Sequence, residues 1–379
     1  ITSFQSLFES IGLQTNWHTF HIIVPIGISF YTFRLLSYVI DINRGRYEPT
    51  RDLIALSTYV AFFPCILSGP IDRPDMMIPQ LKTPRVFDYR LTVDGCRQIL
   101  WGVFKKTVIA DNLAGYVNTV FESYQDQSGS ILLSGAMFFM IQMYADFSGY
   151  SDMAIGVSKL LGLRVTKNFN YPFFAQNIAD FWRRWHISLT SWLTDYVFIP
   201  LNVKWRDWGK WGMIMAIVTN FIICGLWHGA NWTFVLWGLF HGLLFIPLIL
   251  SGKMFKKTRI ETSRRGLPTM KALGRMMLTF LLVSFGAIMF RAENIGAAWN
   301  YIAEMFSSSP FSSGDVLAGK PAVFCLLLLI IEWTGRENNY ATEKMFTQKT
   351  YLRWGLYYAL TVMIFSFGGG EQQFIYFQF

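Results

Sequence analysis

The constraint that dominates this sequence is a succession of apolar runs close to the length at which a helix crosses the hydrocarbon of a bilayer, roughly 20 residues. Read in windows of that length, residues 18–40, 53–69, 137–161, 211–227, 232–250, 269–290, 316–333 and 352–367 are predicted spans, about eight in all. A soluble chain lacks the polar surface to cover such runs. Only 15% of the residues are charged, against about 25% in ordinary usage, while 53% are hydrophobic and 17% aromatic. The predicted fold class is therefore all-α, a polytopic integral membrane protein. Pro25 and Gly27 interrupt the first run and Pro64 the second, which predicts broken helices near the midplane. The run 137–161 carries Asp146, Ser148, Gly149, Ser151 and Asp152, polar groups that need partners inside a membrane.

The net charge of +9 would point to nucleic acid in a soluble protein, but the basic residues lie in short stretches between apolar runs, so no nucleic-acid partner is expected. The densest stretch, 253–275, holds Lys256, Lys257, Arg259, Arg264 and Arg265 and is placed in the cytoplasm by the positive-inside bias. Two segments are too polar to span and too aromatic for simple loops. In 93–112, Trp101, Phe104, Val108 and Ile109 fall near one side and Lys105 and Lys106 near the other, the pattern of an interfacial helix, with Thr92 or Asp94 as its cap. The segment 178–193 reads the same way. The tail residues Phe374, Tyr376, Phe377 and Phe379 resemble an interfacial aromatic belt. Cys65, Cys96, Cys224 and Cys325 are far apart and lie in or beside apolar runs, so each reads as a small buried hydrophobe, with neither disulfide nor metal site expected. No signal peptide is visible, and the chain reads as beginning inside a longer protein.

The histidines are His18, His21, His186, His228 and His241. His18 and His21 start a span and suit the headgroup level. His228 sits in CGLWHGANW between two strongly apolar runs, where Gly225 and Gly229 allow close approach and a buried imidazole must find a partner. His186 sits in DFWRRWHISLTSWLTDYVF, crowded with Asp180, Arg183, Arg184 and Trp185. On a helix Arg183 and Trp182 would share its face, although an interfacial helix whose arginines reach headgroups would carry the same residues. On an unbroken helix His241 would lie about 20 Å along and about 140° around from His228, too far to share a reacting atom, and a hydrogen bond to a neighbouring helix is its favoured role.

Moving an acyl group from a thioester to a hydroxyl needs a base at the hydroxyl proton and donors at the developing oxyanion, and histidine suits the first. There is no GxSxG elbow, no histidine followed four intervening residues later by aspartate, no Walker loop and no GxGxxG, so serine-triad, ATP and dinucleotide chemistry have no sequence support.

FWRRWHISLTSWLTDYVFIPL and GLWHGANWTFVLWGLFHG, with VPIGISFYTFRLLSYVIDINRG, FFPCILSGPIDR, QMYADFSGYSDMAIGVSKLLG and NFNYPFFAQNIADFW, resemble the membrane-bound O-acyltransferase family in its bacterial polysaccharide branch. The resemblance covers most of the chain up to about Leu250 and extends to the ending FGGGEQQFIYFQF. It implies one membrane domain over residues 1–379, a helical bundle around a central funnel with interfacial and re-entrant helices. It implies His228 as the active-site histidine and His186 as the second catalytic histidine, with Arg183, Arg184, Trp185, Trp227, Asn231 and Trp232 as candidate substrate-binding residues. The donor would be acetyl-CoA or another acyl thioester on the cytoplasmic side, with no tightly bound cofactor. The acceptor would be an exported polysaccharide, with a periplasmic acetyltransferase as partner and the bacterial inner membrane as location. Because only about 17 residues precede VPIGISFYTF, where members carry further helices, the chain reads as an N-terminally short member. A D-alanyl transferase acting on teichoic acid is the alternative within the family. Outside it stand a transporter, which the embedded charges and broken helices would also suit, and a non-catalytic export scaffold.

Overall fold

The computed structural model describes residues 27–264, 266–311, 319–346, 349–368, 370, 372 and 374. His18, His21, Pro25, Tyr376, Phe377 and Phe379 lie outside these. Among the described residues the fold is helical throughout, with no strand beyond an isolated bridge between Thr262 and Pro268. Four helices are long and apolar enough to cross a bilayer: Gly129–Leu160, Arg206–His228, Trp232–Leu250 and Met270–Arg291. The other predicted spans are helical where described but shorter or less apolar. Run 53–69 becomes Leu53–Val60, because the chain turns into the 3-10 segment Phe63–Cys65 at Pro64. Runs 316–333 and 352–367 become Gly319–Gly335 and Thr350–Phe367, and the described part of run 18–40 is a helix that begins at Ile28 behind Gly27, which takes a φ of 76°. Ile54, Met270, Val323 and Phe365 stand 62–86% exposed on the outside, an apolar surface that only lipid or a partner would cover.

Gly129–Leu160 is the axis of the bundle, with 67% of its apolar window buried. The helix Tyr89–Phe104 lies against it so closely that side chains are excluded at two levels. A Cβ on Gly102 would sit 2.6 Å from the carbonyl oxygen of Gly149, and one on Gly95 would sit 2.7 Å from that of Gly156. Each pair is reciprocal, so two glycines seven positions apart on one helix meet two on the other.

This contact overturns the interfacial reading of 93–112. The helix starts earlier than predicted, capped by Asp88, whose carboxylate accepts from the amides of Arg90 and Leu91, rather than by Thr92 or Asp94. Its lysines turn inward. Lys105, 2% exposed, pairs with Asp152 at 2.6 Å and donates to Ser148 at 2.8 Å; Lys106 pairs with Asp111 at 2.8 Å and Asp146 at 2.9 Å. The embedded acids of the long helix thus find their partners inside the protein, as charges at membrane depth must. The lysines lie on a π-helical stretch, Lys105–Ala110, that joins Tyr89–Phe104 to Asp111–Glu122.

Helices Gly209–His228 and Trp232–Leu243 form an antiparallel hairpin, again through glycine. A Cβ on Gly225 would meet the carbonyl oxygen of Phe234 at 2.1 Å, and one on Gly238 that of Phe221 at 2.2 Å. Cys65, Cys224 and Cys325 are buried as expected, but Cys96 is exposed, since it follows Gly95 on the outward face of its helix.

Candidate active site

His228 is the last residue of its helix, and the chain reverses over the next three residues before Trp232. Asn231 makes the reversal: its Oδ1 accepts from the amide of Thr233 as helix cap, and its Nδ2 donates to the carbonyl of Glu293 at 2.9 Å. The unbroken-helix separation of His228 and His241 therefore does not apply. Folded back on each other, the two helices bring both rings to one cavity, with Trp237 between them at 5.4 Å from His228 and 4.9 Å from His241. His241 also holds a neighbouring helix, as predicted, its Nδ1 accepting from the indole N–H of Trp182 at 3.3 Å.

His186 enters the same cavity from another element. The predicted single helix over 178–193 is two short ones, Ile178–Trp182 and Ile187–Leu193, broken at Arg183–His186. His186 takes φ 42° and ψ 55°, a left-handed conformation that costs a non-glycine residue about 1–2 kcal/mol and persists only where its surroundings enforce it. The bend removes the expected shared helical face with Trp182 and Arg183. The ring is 1% exposed and instead meets Phe147 edge-on at 4.7 Å, Trp227 at 6.2 Å and Phe30 at 6.4 Å.

The candidate substrate residues separate into two groups. Trp185 lines the cavity, and Trp227 packs against both His186 and His228. Arg183 and Arg184 do not line it. Arg183 donates to the carbonyls of Met254 and Lys256, and Arg184 pairs with Asp180 at 3.0 Å, so both hold the bend and the basic loop. Asn231 is occupied as described, and Trp232 opens the second hairpin helix without lining the cavity.

Phe290, Trp237 and Met140 also wall the cavity and were not singled out by sequence. Behind His186 lies a second, polar cavity lined by Lys105, Asp152, Lys167, Asn168, Tyr144 and Glu332. There the Tyr144 hydroxyl donates to Glu332 at 2.6 Å, and Lys167 donates to Asn170 at 3.0 Å and to the carbonyl of Asn338 at 3.3 Å. Burial pushes the Lys167 ammonium down to about 8. Among the described residues no group of histidine, cysteine and carboxylate side chains is arranged to hold a metal.

An aromatic cavity with imidazoles from three separate elements suits proton transfer to and from a bound hydroxyl. Residues 49–290 match the membrane-bound O-acyltransferase family. A probable alginate O-acetylase, AlgI, of Azotobacter vinelandii is 38% identical over 320 residues, covering 83% of this chain and 60% of that protein. The peptidoglycan O-acetyltransferase of Helicobacter pylori is 30% identical over 338 residues, 80% of this chain and 60% of its own length. The teichoic acid D-alanyltransferase of Bacillus subtilis is 32% identical over 281 residues, covering 71% and 69%. The chain thus spans about 60% of the length of the first two relatives.

Proposed function

The chain belongs to the membrane-bound O-acyltransferase family, and from that premise we propose that it moves an acetyl group from a cytoplasmic thioester, acetyl-CoA or another acyl carrier, to hydroxyls of an exported polysaccharide. His228 acts as general base. It takes the proton of the acceptor hydroxyl as that oxygen attacks the thioester carbonyl; the carbon–sulfur bond then breaks, and the thiolate leaves with the proton that His228 held. His186 steadies the acceptor or the oxyanion. The observation that carries this reading is the meeting of His186 and His228, from separate elements, in one buried aromatic cavity.

The acceptor class rests on the alginate and peptidoglycan acetylating relatives together, and so stays at the level of a cell-surface glycan such as alginate. A separate extracytoplasmic acetyltransferase completing the modification, and the bacterial inner membrane as location, belong to the same proposal. Trp185 and Trp227 are its substrate-contacting residues; Arg183, Arg184, Asn231 and Trp232 support the bend and the hairpin.

The test is the ester content of the exported polymer from cells carrying the full-length wild-type protein, His228→Ala or His228→Gln at matched membrane abundance. Acetate released by mild base from the wild-type polymer, and lost with either variant, is the expected result. Release of D-alanine would transfer the chain to the teichoic-acid chemistry of its third relative. Unchanged ester would return the export-scaffold and transporter readings.

A further inference from the structure

Asn168 is fully buried in the irregular segment before the His186 bend, and it does the work of a helix cap from 18 residues upstream. Its backbone carbonyl accepts from the amide of Ile187 at 2.8 Å. Its side-chain oxygen accepts from the amide and the hydroxyl of Ser188, at 3.2 and 3.0 Å. Those are the first free amides of helix Ile187–Leu193, which His186, in its left-handed conformation, does not cap with its own side chain.

The same Asn168 oxygen lies 3.0 Å from Nδ1 of His186. Which amide atom faces which partner is often ambiguous, but here a backbone N–H decides it. The amide of Ser188 can only donate, so the atom that faces it is the oxygen, while Nδ2 turns to Ser151 Oγ at 3.3 Å. An amide oxygen cannot donate. Nδ1 of His186 therefore carries the hydrogen, and in the neutral ring Nε2 keeps a lone pair. Nε2 is buried and has no hydrogen-bond partner among the described residues, and its ring lines the cavity shared with His228.

We infer that Asn168 is a positioning residue that fixes His186 as the Nδ1–H tautomer, so that His186 meets substrate as a hydrogen-bond acceptor for an acceptor hydroxyl and not as a donor to the oxyanion. The inference rests on the acyl-transfer reading and sharpens it, selecting one of the two roles given to His186. A lone capping role for Asn168 would account for its bonds to Ile187 and Ser188 but would leave the tautomer unconstrained. The two accounts part on the state of the imidazole.

The experiment uses the full-length protein in lipid nanodiscs with imidazole nitrogens isotopically labelled, the His186 signals being those lost in His186→Gln. The expected spectrum shows Nδ1 protonated and Nε2 bare. Asn168→Leu shifts the ring toward Nε2–H and lowers kcat about ten-fold, with KM for the thioester changed less than about two-fold. Asn168→Asp keeps an accepting oxygen, and its carboxylate stabilises the imidazolium, so the ring stays Nδ1–H and the acid limb of the pH–rate profile moves to higher pH. Nε2–H in the wild type, or a tautomer unchanged in Asn168→Leu, overturns the assignment. Should the leucine variant fail to accumulate, the wild-type spectrum and the aspartate profile decide, an unshifted limb counting against it. Full polymer acylation by His186→Gln would overturn the substrate-facing role whatever the tautomer, and full acylation by His228→Gln would overturn the parent reading alone.

Discussion

The indole N–H of Trp182 donates to Nδ1 of His241 at 3.3 Å, which ties the short helix before the bend to the second helix of the hairpin. His241 thus spends one ring nitrogen on structure although it shares the cavity of His186 and His228. We predict that Trp182→Phe, which deletes the donor and shortens the buried ring but keeps it aromatic, lowers acylation less than about ten-fold. His228→Gln should lower kcat by about 10²–10⁴, the usual contribution of a general base. Single-turnover rates with a soluble thioester and a short glycan would measure both, and equal losses would put His241 on a level with His228.

Lys105 and Asp152, with side chains only 3% and 14% exposed, form the most enclosed ion pair described here. Lys105→Met leaves a buried carboxylate without its cation and should cost about 3–5 kcal/mol, whereas Lys105→Met combined with Asp152→Leu should cost much less. The midpoint of thermal unfolding in detergent reports the difference. A double variant no better than the single would mean that Gln98, which donates to Asp152 at 2.7 Å, carries the pair.

Glycine contacts between helices make a second stability prediction, with an internal control. Gly102→Ala drives a methyl group toward the Gly149 carbonyl oxygen and should destabilise by about 1–3 kcal/mol. Gly115 has nothing within 4 Å of its would-be Cβ, so Gly115→Ala should gain about 0.5–1 kcal/mol from helix propensity. The same thermal assay ranks the two against wild type.

The Lys167 ammonium is held at about 8, below its ordinary 10.5, by burial. A lysine lowered in this way binds fewer protons folded than unfolded over that interval. It therefore costs stability in full below about 8, and the cost is relieved as pH rises toward the unfolded value. Wild type should gain on Lys167→Met as pH goes from about 7.5 to about 9.5. A gap that stays constant with pH would mean that Lys167 titrates normally.

Apolar length alone made the long helix, the two runs that form the hairpin and Met270–Arg291 legible, because their spans need no tertiary information. The need of His241 for a helix partner was legible for the same reason. The inward turn of Lys105 and Lys106 was not, since it depends on glycines of a different helix that let the backbones meet. The bend at His186 was hidden because a helical reading of 178–193 knows nothing of Asn168, the residue that replaces the missing cap. The hairpin did leave a local trace. Asn231 followed by Trp232 and Thr233 is a helix-start signal directly after His228, and giving it weight would have broken the helix between His228 and His241. Charge alone drew attention to Arg183 and Arg184, but their partners, the carbonyls of Met254 and Lys256 in the basic loop and the carboxylate of Asp180, depend on the tertiary fold.

The pairing of Lys105 and Lys106 with Asp152 and Asp146 bears on how the chain enters the membrane at all. A single lysine or aspartate at the centre of an inserting helix is disfavoured by about 2.5–3.5 kcal/mol. Gly129–Leu160 presents two such acids, and its neighbour presents two such bases. Released into lipid one after the other, the earlier segment would carry Lys105 uncompensated, Asp111 standing beside Lys106, and the later one would carry both of its acids so. The translocation machinery would then need to retain the earlier segment until the later one is synthesised, and the two would leave for the bilayer with Lys105 and Lys106 already matched to Asp152 and Asp146.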